Sequence, residues 1–352
     1  MDNEAPSVTG SVMAREAAEA AAACERQIAL NADLMRETGA RLRLLNAPFA
    51  ATLARGSSDQ AAGFAKTLFE TRAAMPTLSQ SPSLGALYAA TSPRFRDVPL
   101  FAISQSGRSP DLLRAVADAK TRGALVVAVV NDAASPLAEV ADVIVPVHAG
   151  PEKSVAATKS FIATLVALTH LTAEWSGDRA LLERLAGIGD VLRAAQRADW
   201  SAAAPLLASA QNMLVLGRGF TLPIAGEAAL KLKETAGLHA EAFSIAEVAH
   251  GPMTLVKADD PVLAFGPLDR AREGLRDRIA DFTTRGAHVI AAGHEEDVGE
   301  AATRWIAPSD ADPILTSIGY IQSYYSLANA VALARGRDPD RPPHLSKVTR
   351  TL

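Results

Sequence analysis

The strongest constraint on how this chain can fold is a repeat. Landmarks recur at one spacing of about 163 residues. Arg55-Gly56 falls on Arg218-Gly219, and Ala62-Gly63 on Ala225-Gly226. Asp97 and Leu100 fall on Asp260 and Leu263, and Thr121-Arg122-Gly123 on Thr284-Arg285-Gly286. Each match alone is trivial, but a shared offset points to a duplicated unit. A chain of 352 residues has room for two ordinary domains.

The unit itself is legible. Apolar runs at Ala47 to Leu53 and Gln211 to Leu216 end at Arg-Gly turns, the pattern of buried strands. Ala-rich helices are predicted next, over residues 59–70 and 223–236. Strands follow at 100–103 and 262–265, helices at 110–122 and 269–285, then strands at 125–130, 288–292 and 143–147. Alternation of strands and helical crossovers predicts an α/β protein whose parallel sheets are covered on both faces. Residues 11–45 and 181–195 read as helical. The tail from Arg335 to Leu352, with Pro339, Pro342 and Pro343, reads as extended. The expected organisation is a helical segment (1–45), a first domain (46–180), a second domain (196–338) and a tail (339–352).

Composition narrows the function. A net charge of −4 gives no basic surface for nucleic acid. One cysteine, Cys24, excludes a disulfide framework or a cysteine-based metal site within the chain. The first residues lack a basic and then apolar leader. The longest apolar run, Phe161 to Ala173, is interrupted by Thr164, Thr169, His170 and Thr172, which suits a buried helix better than a membrane span. The expectation is a soluble cytoplasmic protein with neither membrane nor nucleic-acid partner. The seven histidines show no close ligand spacing, so no metal is expected. His148, His170, His288 and His294 read as packing or surface residues.

Ligands of parallel sheets bind beyond the carboxyl ends of the strands. After the strand ending at Ile103 comes Ser104-Gln105-Ser106-Gly107-Arg108-Ser109, then Pro110 opening a helix. Hydroxyls, an amide and a glycine at a helix N-terminus could cradle a phosphate monoester. Capping of the helix by Ser109 would account for the same residues. The second half has Phe265-Gly266-Pro267-Leu268-Asp269 here, an acid without hydroxyls, so one phosphate site is expected, in the first half. Ser57 and Ser58 follow the first strand and could reach the same ligand, or simply start a helix. Lys231 and Glu234 lie one turn apart on a predicted helix, where a surface ion pair is the plain reading.

Several of these motifs stand in series. Ser104-Gln105-Ser106-Gly107, Val155-Ala156-Ala157-Thr158-Lys159 and Leu216-Gly217-Arg218-Gly219 are followed by Ala229 to Glu234, His239-Ala240-Glu241, His250-Gly251-Pro252 and Leu345-Ser346-Lys347-Val348-Thr349. From about Leu45 onward the chain resembles the SIS (sugar isomerase) family. It is most similar to the isomerase half of glutamine–fructose-6-phosphate aminotransferase and to the second class of glucosamine-6-phosphate deaminases. The resemblance implies two SIS domains, each an αβα sandwich of flavodoxin-like type, working on a sugar phosphate without a cofactor. It implies that Ser57, Ser58, Ser104, Gln105, Ser106, Ser109, Val155, Ala157 and Lys231 bind substrate. Glu234 would move the proton between C2 and C1, and His250 would open the ring. Lys347 would form a Schiff base or polarise the open-chain carbonyl. It further implies a homodimer in which His250 acts in the neighbouring subunit's site. Only about 45 residues precede the first strand, less than a glutaminase domain. The expected direction is therefore deamination of glucosamine 6-phosphate. The alternatives are a fructosamine-6-phosphate deglycase, an aminotransferase-like isomerase without glutaminase, and a non-catalytic sugar-phosphate sensor.

Overall fold

The computed structural model describes residues 10–87, 95–308 and 311–347. Residues 348–352, including Val348 and Thr349 of the C-terminal motif, lie outside these residues.

Ten strands form two five-stranded parallel sheets. The first contains β1 (Ala50–Leu53), β2 (Thr77–Gln80), β3 (Pro99–Ser104), β4 (Leu125–Val130) and β5 (Val143–Pro146). The second contains β6 (Asn212–Gly217), β7 (His239–Ser244), β8 (Pro261–Phe265), β9 (His288–Gly293) and β10 (Thr303–Ile306). Their orders are β2-β1-β3-β4-β5 and β10-β9-β8-β6-β7. Counted within its own half, each is the doubly wound order 2-1-3-4-5, whose strand order reverses between the first and third strands. Those switch points are β1/β3 and β6/β8. The flavodoxin-like α/β expectation therefore holds for both halves.

The duplication survives in backbone detail. Asp97 and Asp259 both take positive φ, at 61° and 68°. The Asp97 amide donates to the Gly123 carbonyl (3.0 Å), and the Asp259 amide donates to the Gly286 carbonyl (2.9 Å). The same turn thus precedes β3 and β8.

The chain separates into two compact units, each assembled from several stretches. Of the described residues, the first comprises 20–87, 95–152, 159–189 and 346–347, and the second 10–19, 153–158, 190–308 and 311–345. In the first, Val126, Ala128 and Val130 of β4 pack with Leu112, Ala115 and Val116 of the helix Pro110–Thr121. Phe69 also meets Phe101 and Trp175, with ring centroids 4.6 and 5.3 Å apart. In the second, Val262 and Ala264 of β8 pack with Leu275, Ile279 and Phe282. The long helix Pro313–Ala334 adds Tyr320 and Tyr324 against Phe265.

Several boundaries differ from the sequence reading. Residues 11–45 form two helices, Val12–Ala18 and Ala20–Leu45, and the linking segment splits into Arg179–Leu185 and Ile188–Gln196. The helix expected over 269–285 begins only at Leu275, because Gly274 is left-handed (φ 82°) and interrupts it. Asp269 instead caps a short 3-10 turn, Arg270–Arg272, accepting from the Ala271 amide. Strands β2, β7 and β10 were not expected. They lie at sheet edges, with half-polar sequences such as Thr-Leu-Ser-Gln and His-Ala-Glu-Ala-Phe-Ser that lack the apolar run of a central strand.

Candidate functional site

At the β1/β3 switch point of the first unit, two loops leave the sheet side by side, since Leu53 pairs with Ala102. In the loop after β3, the Gly107 amide donates to Ser104 Oγ at 3.1 Å, folding the loop on itself. Gly107 sits at φ 61°, and a Cβ there would lie 2.2 Å from Ser135 Oγ, so only glycine fits. Ser109 occupies the N-cap position of the helix Pro110–Thr121, but its hydroxyl makes no capping hydrogen bond. Side-chain capping therefore does not account for that serine. Gln105, Ser106 and Ser109 are half-exposed beside the helix N-terminus.

In the loop after β1, Gly56 (φ 59°) precedes the helix Ser57–Arg72, so Ser57 and Ser58 begin its first turn. Arg55 joins the two loops: its guanidinium meets the buried Asp111 carboxylate at 2.7 Å and donates to Ser83 Oγ at 2.9 Å. Asp111 is the second residue of the helix that follows Ser109. Sequence reasoning missed this bridge, because residues 56 apart carry no local signal. Burial is the main influence on the Asp59 carboxyl, raising it, and the positive charge of Arg55 acts in the opposite sense.

The first unit also holds Lys347. Its ammonium lies 2.8 Å from Glu152 Oε2, and the Glu152 side chain is wholly buried. Glu152 also accepts from the Ser160 amide (3.1 Å) and hydroxyl (2.6 Å). A tail lysine is thus anchored on a carboxylate already held at the start of the helix Lys159–Ser176.

The remaining candidates belong to the second unit. Lys231 ends the α-helix Thr221–Lys231, and residues Leu232–Ala236 continue as one π-helical turn closed by Gly237 at φ 58°. The extra residue in such a turn re-aims the side chains it carries, and Glu234 lies on it. Lys231 is 1 % exposed, which corrects the surface-pair reading. Its ammonium lies 2.5 Å from Glu234 Oε2 and 3.4 Å from Glu227 Oε1. Tyr325 also donates to Glu227 at 3.3 Å. Burial alone would lower the lysine, but the Glu227 and Glu234 carboxylates outweigh it and hold the ammonium above its ordinary value. The Glu234 side chain remains 23 % exposed, the open member of the cluster. Glu227, four residues before Lys231, was missed because an apolar helix face gives no hint that a carboxylate is buried in it.

Val155 and Ala157 are half-buried, and the Val155 amide donates to the Asp340 carbonyl at 3.3 Å. His250 ends a 3-10 turn, Glu247–His250, before Gly251 at φ 140°. It is exposed, and among the described residues its ring has no hydrogen-bond partner. The structure thus brings together Lys231 with Glu234, the two hydroxyl loops through Arg55, and Lys347 with Glu152.

Among the described residues, no three His, Cys, Asp or Glu side chains gather as a metal site requires, and no helix is long and apolar enough to cross a membrane. Cys24 is fully buried, and burial pushes its thiol far up.

The chain is similar to known proteins. The chain is 34% identical over 259 residues to a glutamine–fructose-6-phosphate aminotransferase [isomerizing] of Thermococcus kodakarensis, covering 70% of this chain and 43% of that protein. It is 33% identical over 315 residues to the enzyme of that name from Thermus thermophilus, covering 84% and 51%. The chain thus spans about half the length of these curated relatives. Among solved structures, a candidate phosphosugar isomerase from Silicibacter pomeroyi superposes with a TM-score of 0.86 at 38% identity, covering 94% of this chain and all of that one. A glucosamine-6-phosphate deaminase from Thermotoga maritima shares the fold, with a TM-score of 0.76 at 21% identity, covering 97% of this chain and 100% of that one. The sequence pattern of the SIS domain matches residues 44–173 and again residues 206–334. With that pattern met twice, once over each five-stranded sheet, the chain belongs to the SIS domain family.

Proposed function

We propose that this protein is an amino-sugar phosphate isomerase that releases ammonia, converting glucosamine 6-phosphate and water to fructose 6-phosphate and ammonia. The observation that carries the reading is the Lys231–Glu234 pair. A carboxylate with one open side, held by a buried ammonium, suits a proton shuttle between adjacent carbons. The identity to aminotransferases described as isomerizing, and to a candidate phosphosugar isomerase, supports the substrate class.

In this reading the domain at residues 46–180 binds phosphate. Amides and hydroxyls of the Ser104–Ser109 loop receive it at the N-terminus of the Pro110–Thr121 helix, with Ser57 and Ser58 adding to it. The domain at 196–338 supplies acid–base chemistry. His250 carries a proton to the ring oxygen as the C1–O5 bond opens, acting across a homodimer in the neighbouring copy. Glu234 takes the C2 proton from the open-chain aldehyde and returns it to C1. The C2 amine becomes an imine, water adds at C2, and ammonia leaves to give the ketone. Lys347, in the tail at 339–352 and held on Glu152, polarises the open-chain carbonyl. Every atom is accounted for without a cofactor, and the reading places the protein in the cytoplasm.

The test is purified protein with glucosamine 6-phosphate, assayed for ammonia and fructose 6-phosphate. Equal formation of both is expected, and no product above background sinks the proposal. Release of an amino acid from a fructosamine 6-phosphate, without turnover of glucosamine 6-phosphate, would move the assignment to a deglycase.

A further inference from the structure

The loop that carries Val155 is held by residues the reaction itself does not use. In the second unit, the Glu16 carboxylate, 5 % exposed, accepts from the Lys153 amide through Oε1 (2.5 Å) and from the Ser154 amide through Oε2 (3.1 Å). The next amide, Val155, donates to the Asp340 carbonyl at 3.3 Å. Three consecutive backbone donors are therefore consumed by two acidic residues.

One of the two also holds the helix that carries the other. The Asp340 carboxylate accepts from the Val12 and Met13 amides, each at 2.7 Å, at the N-terminus of the helix Val12–Ala18 that carries Glu16. A carboxylate suits the unpaired first-turn amides of a helix. The helix is pinned along its length: Ser11 Oγ donates to Asn329 Oδ1 (2.6 Å), and Gln322 Nε2 donates to the Ala17 carbonyl (3.1 Å). The helix Pro313–Ala334 that supplies Asn329 and Gln322 is part of the unit's core. A seven-residue helix is thus fixed at both ends, with one buried carboxylate facing the loop.

We propose that Glu16 and Asp340 are positioning residues for the sugar-binding loop at 153–157. They fix its backbone before substrate arrives. Because its amides at 153, 154 and 155 are already used, a ligand meeting the backbone of this stretch finds carbonyl acceptors rather than amide donors. The loop then receives hydroxyl or amino groups of a sugar and does not hold a phosphate. The inference rests on the proposed function in one respect only, that the sugar contacts Val155 and Ala157.

The test uses the full chain and its Glu16→Gln, Glu16→Ala and Asp340→Asn variants. In Glu16→Gln one carboxylate oxygen becomes an amide NH2 facing a backbone N–H, with shape kept. Exchange of the 153–155 amides, read against amides of β8, is expected to quicken about tenfold or more as the local opening becomes easier. The KM for glucosamine 6-phosphate, and its Kd by calorimetry, are expected to rise about tenfold while kcat stays within about threefold, the signature of lost ground-state positioning. Melting temperature is recorded for each variant; should Glu16→Ala fail to fold, Glu16→Gln and Asp340→Asn decide. Unchanged exchange at 153–155 overturns the clamp. Faster exchange with unchanged Kd and KM overturns its role in sugar binding. Wild-type protein that neither binds nor turns over glucosamine 6-phosphate defeats the proposed function and the sugar part of this inference, while the exchange measurement still decides the clamp.

Discussion

The two switch points are copies of one design that diverged in opposite directions. After β3, Gly107 (φ 61°) curls the loop, Ser106 and Ser109 stay half-exposed, and the Ser109 hydroxyl is not spent on capping. After β8, the chain satisfies itself. Thr221 Oγ1 donates to the Phe265 carbonyl (2.7 Å), Tyr320 donates to the Gly266 carbonyl (3.1 Å), and the Gly266 amide donates to the Ala292 carbonyl (2.7 Å). A duplicated fold yields two places where a ligand could bind, and side-chain chemistry decides which one stays open. The sealed half contributes a different asset, the buried ammonium and carboxylates of Lys231, Glu227 and Glu234.

This division of labour can be broken by experiment. The largest effect is expected from Glu234→Gln: turnover of glucosamine 6-phosphate should fall by about 10²–10⁴-fold with Kd nearly unchanged. A proportional loss of binding would mean that the second half holds substrate rather than moving protons. Next in size is a paired test of the glycines. Gly107→Ala forces a Cβ into a left-handed position against Ser135, with an expected loss of roughly 1–3 kcal/mol in chemical denaturation and weaker binding of the sugar phosphate. Gly266→Ala, whose Cβ would lie 2.6 Å from Leu275, should lower stability while leaving affinity alone. Equal affinity losses in both variants would contradict the assignment of phosphate to the first half.

The smallest effect distinguishes the halves by acid. His170, buried in the helix Lys159–Ser176 of the first unit, has a ring Nδ1 without a hydrogen-bond partner. Burial lowers its pKa from 6.5 to about 4. A depressed folded pKa means that the unfolded chain binds the proton first. The favourable contribution is therefore complete above 6.5 and is lost as the pH falls through about 4. His170→Leu should relieve about 2 kcal/mol of acid destabilisation near pH 5 relative to wild type. Urea titrations of both proteins at pH 5 and pH 8 check this; a gain of equal size at both values would point to packing rather than titration.

The central strands, the helices that follow them and the repeat were readable because each depends on local periodicity. Runs such as Leu125–Val130 can only be buried on both faces. Of the edge strands only β5 was readable; β2 and β10 expose every other residue or more and carry mixed sequences. For the site, residue types and loop positions were legible: the serines after β3, the Lys231–Glu234 spacing, the lysine near the end. Their partners were not. Arg55 with Asp111, Lys347 with Glu152, and Glu16 with Lys153 and Ser154 join residues 56, 195 and at least 137 positions apart. The π-turn under Glu234 was hidden as well, because its sequence reads as continuous helix.

The sequence by itself determined the α/β class, the two-fold repeat and the half that keeps its hydroxyl loop, because strand burial, helix periodicity and loop chemistry are set within a few neighbouring residues. Only the tertiary structure decided that Lys231 is a buried ammonium between two carboxylates rather than a surface cation. It alone showed that a short N-terminal helix grips the Val155 loop. Both outcomes depend on which carboxylates the folded chain withdraws from water, whether a few residues away as for Lys231 or more than a hundred as for Glu16, and a buried charge survives only where folding has set its partner beside it.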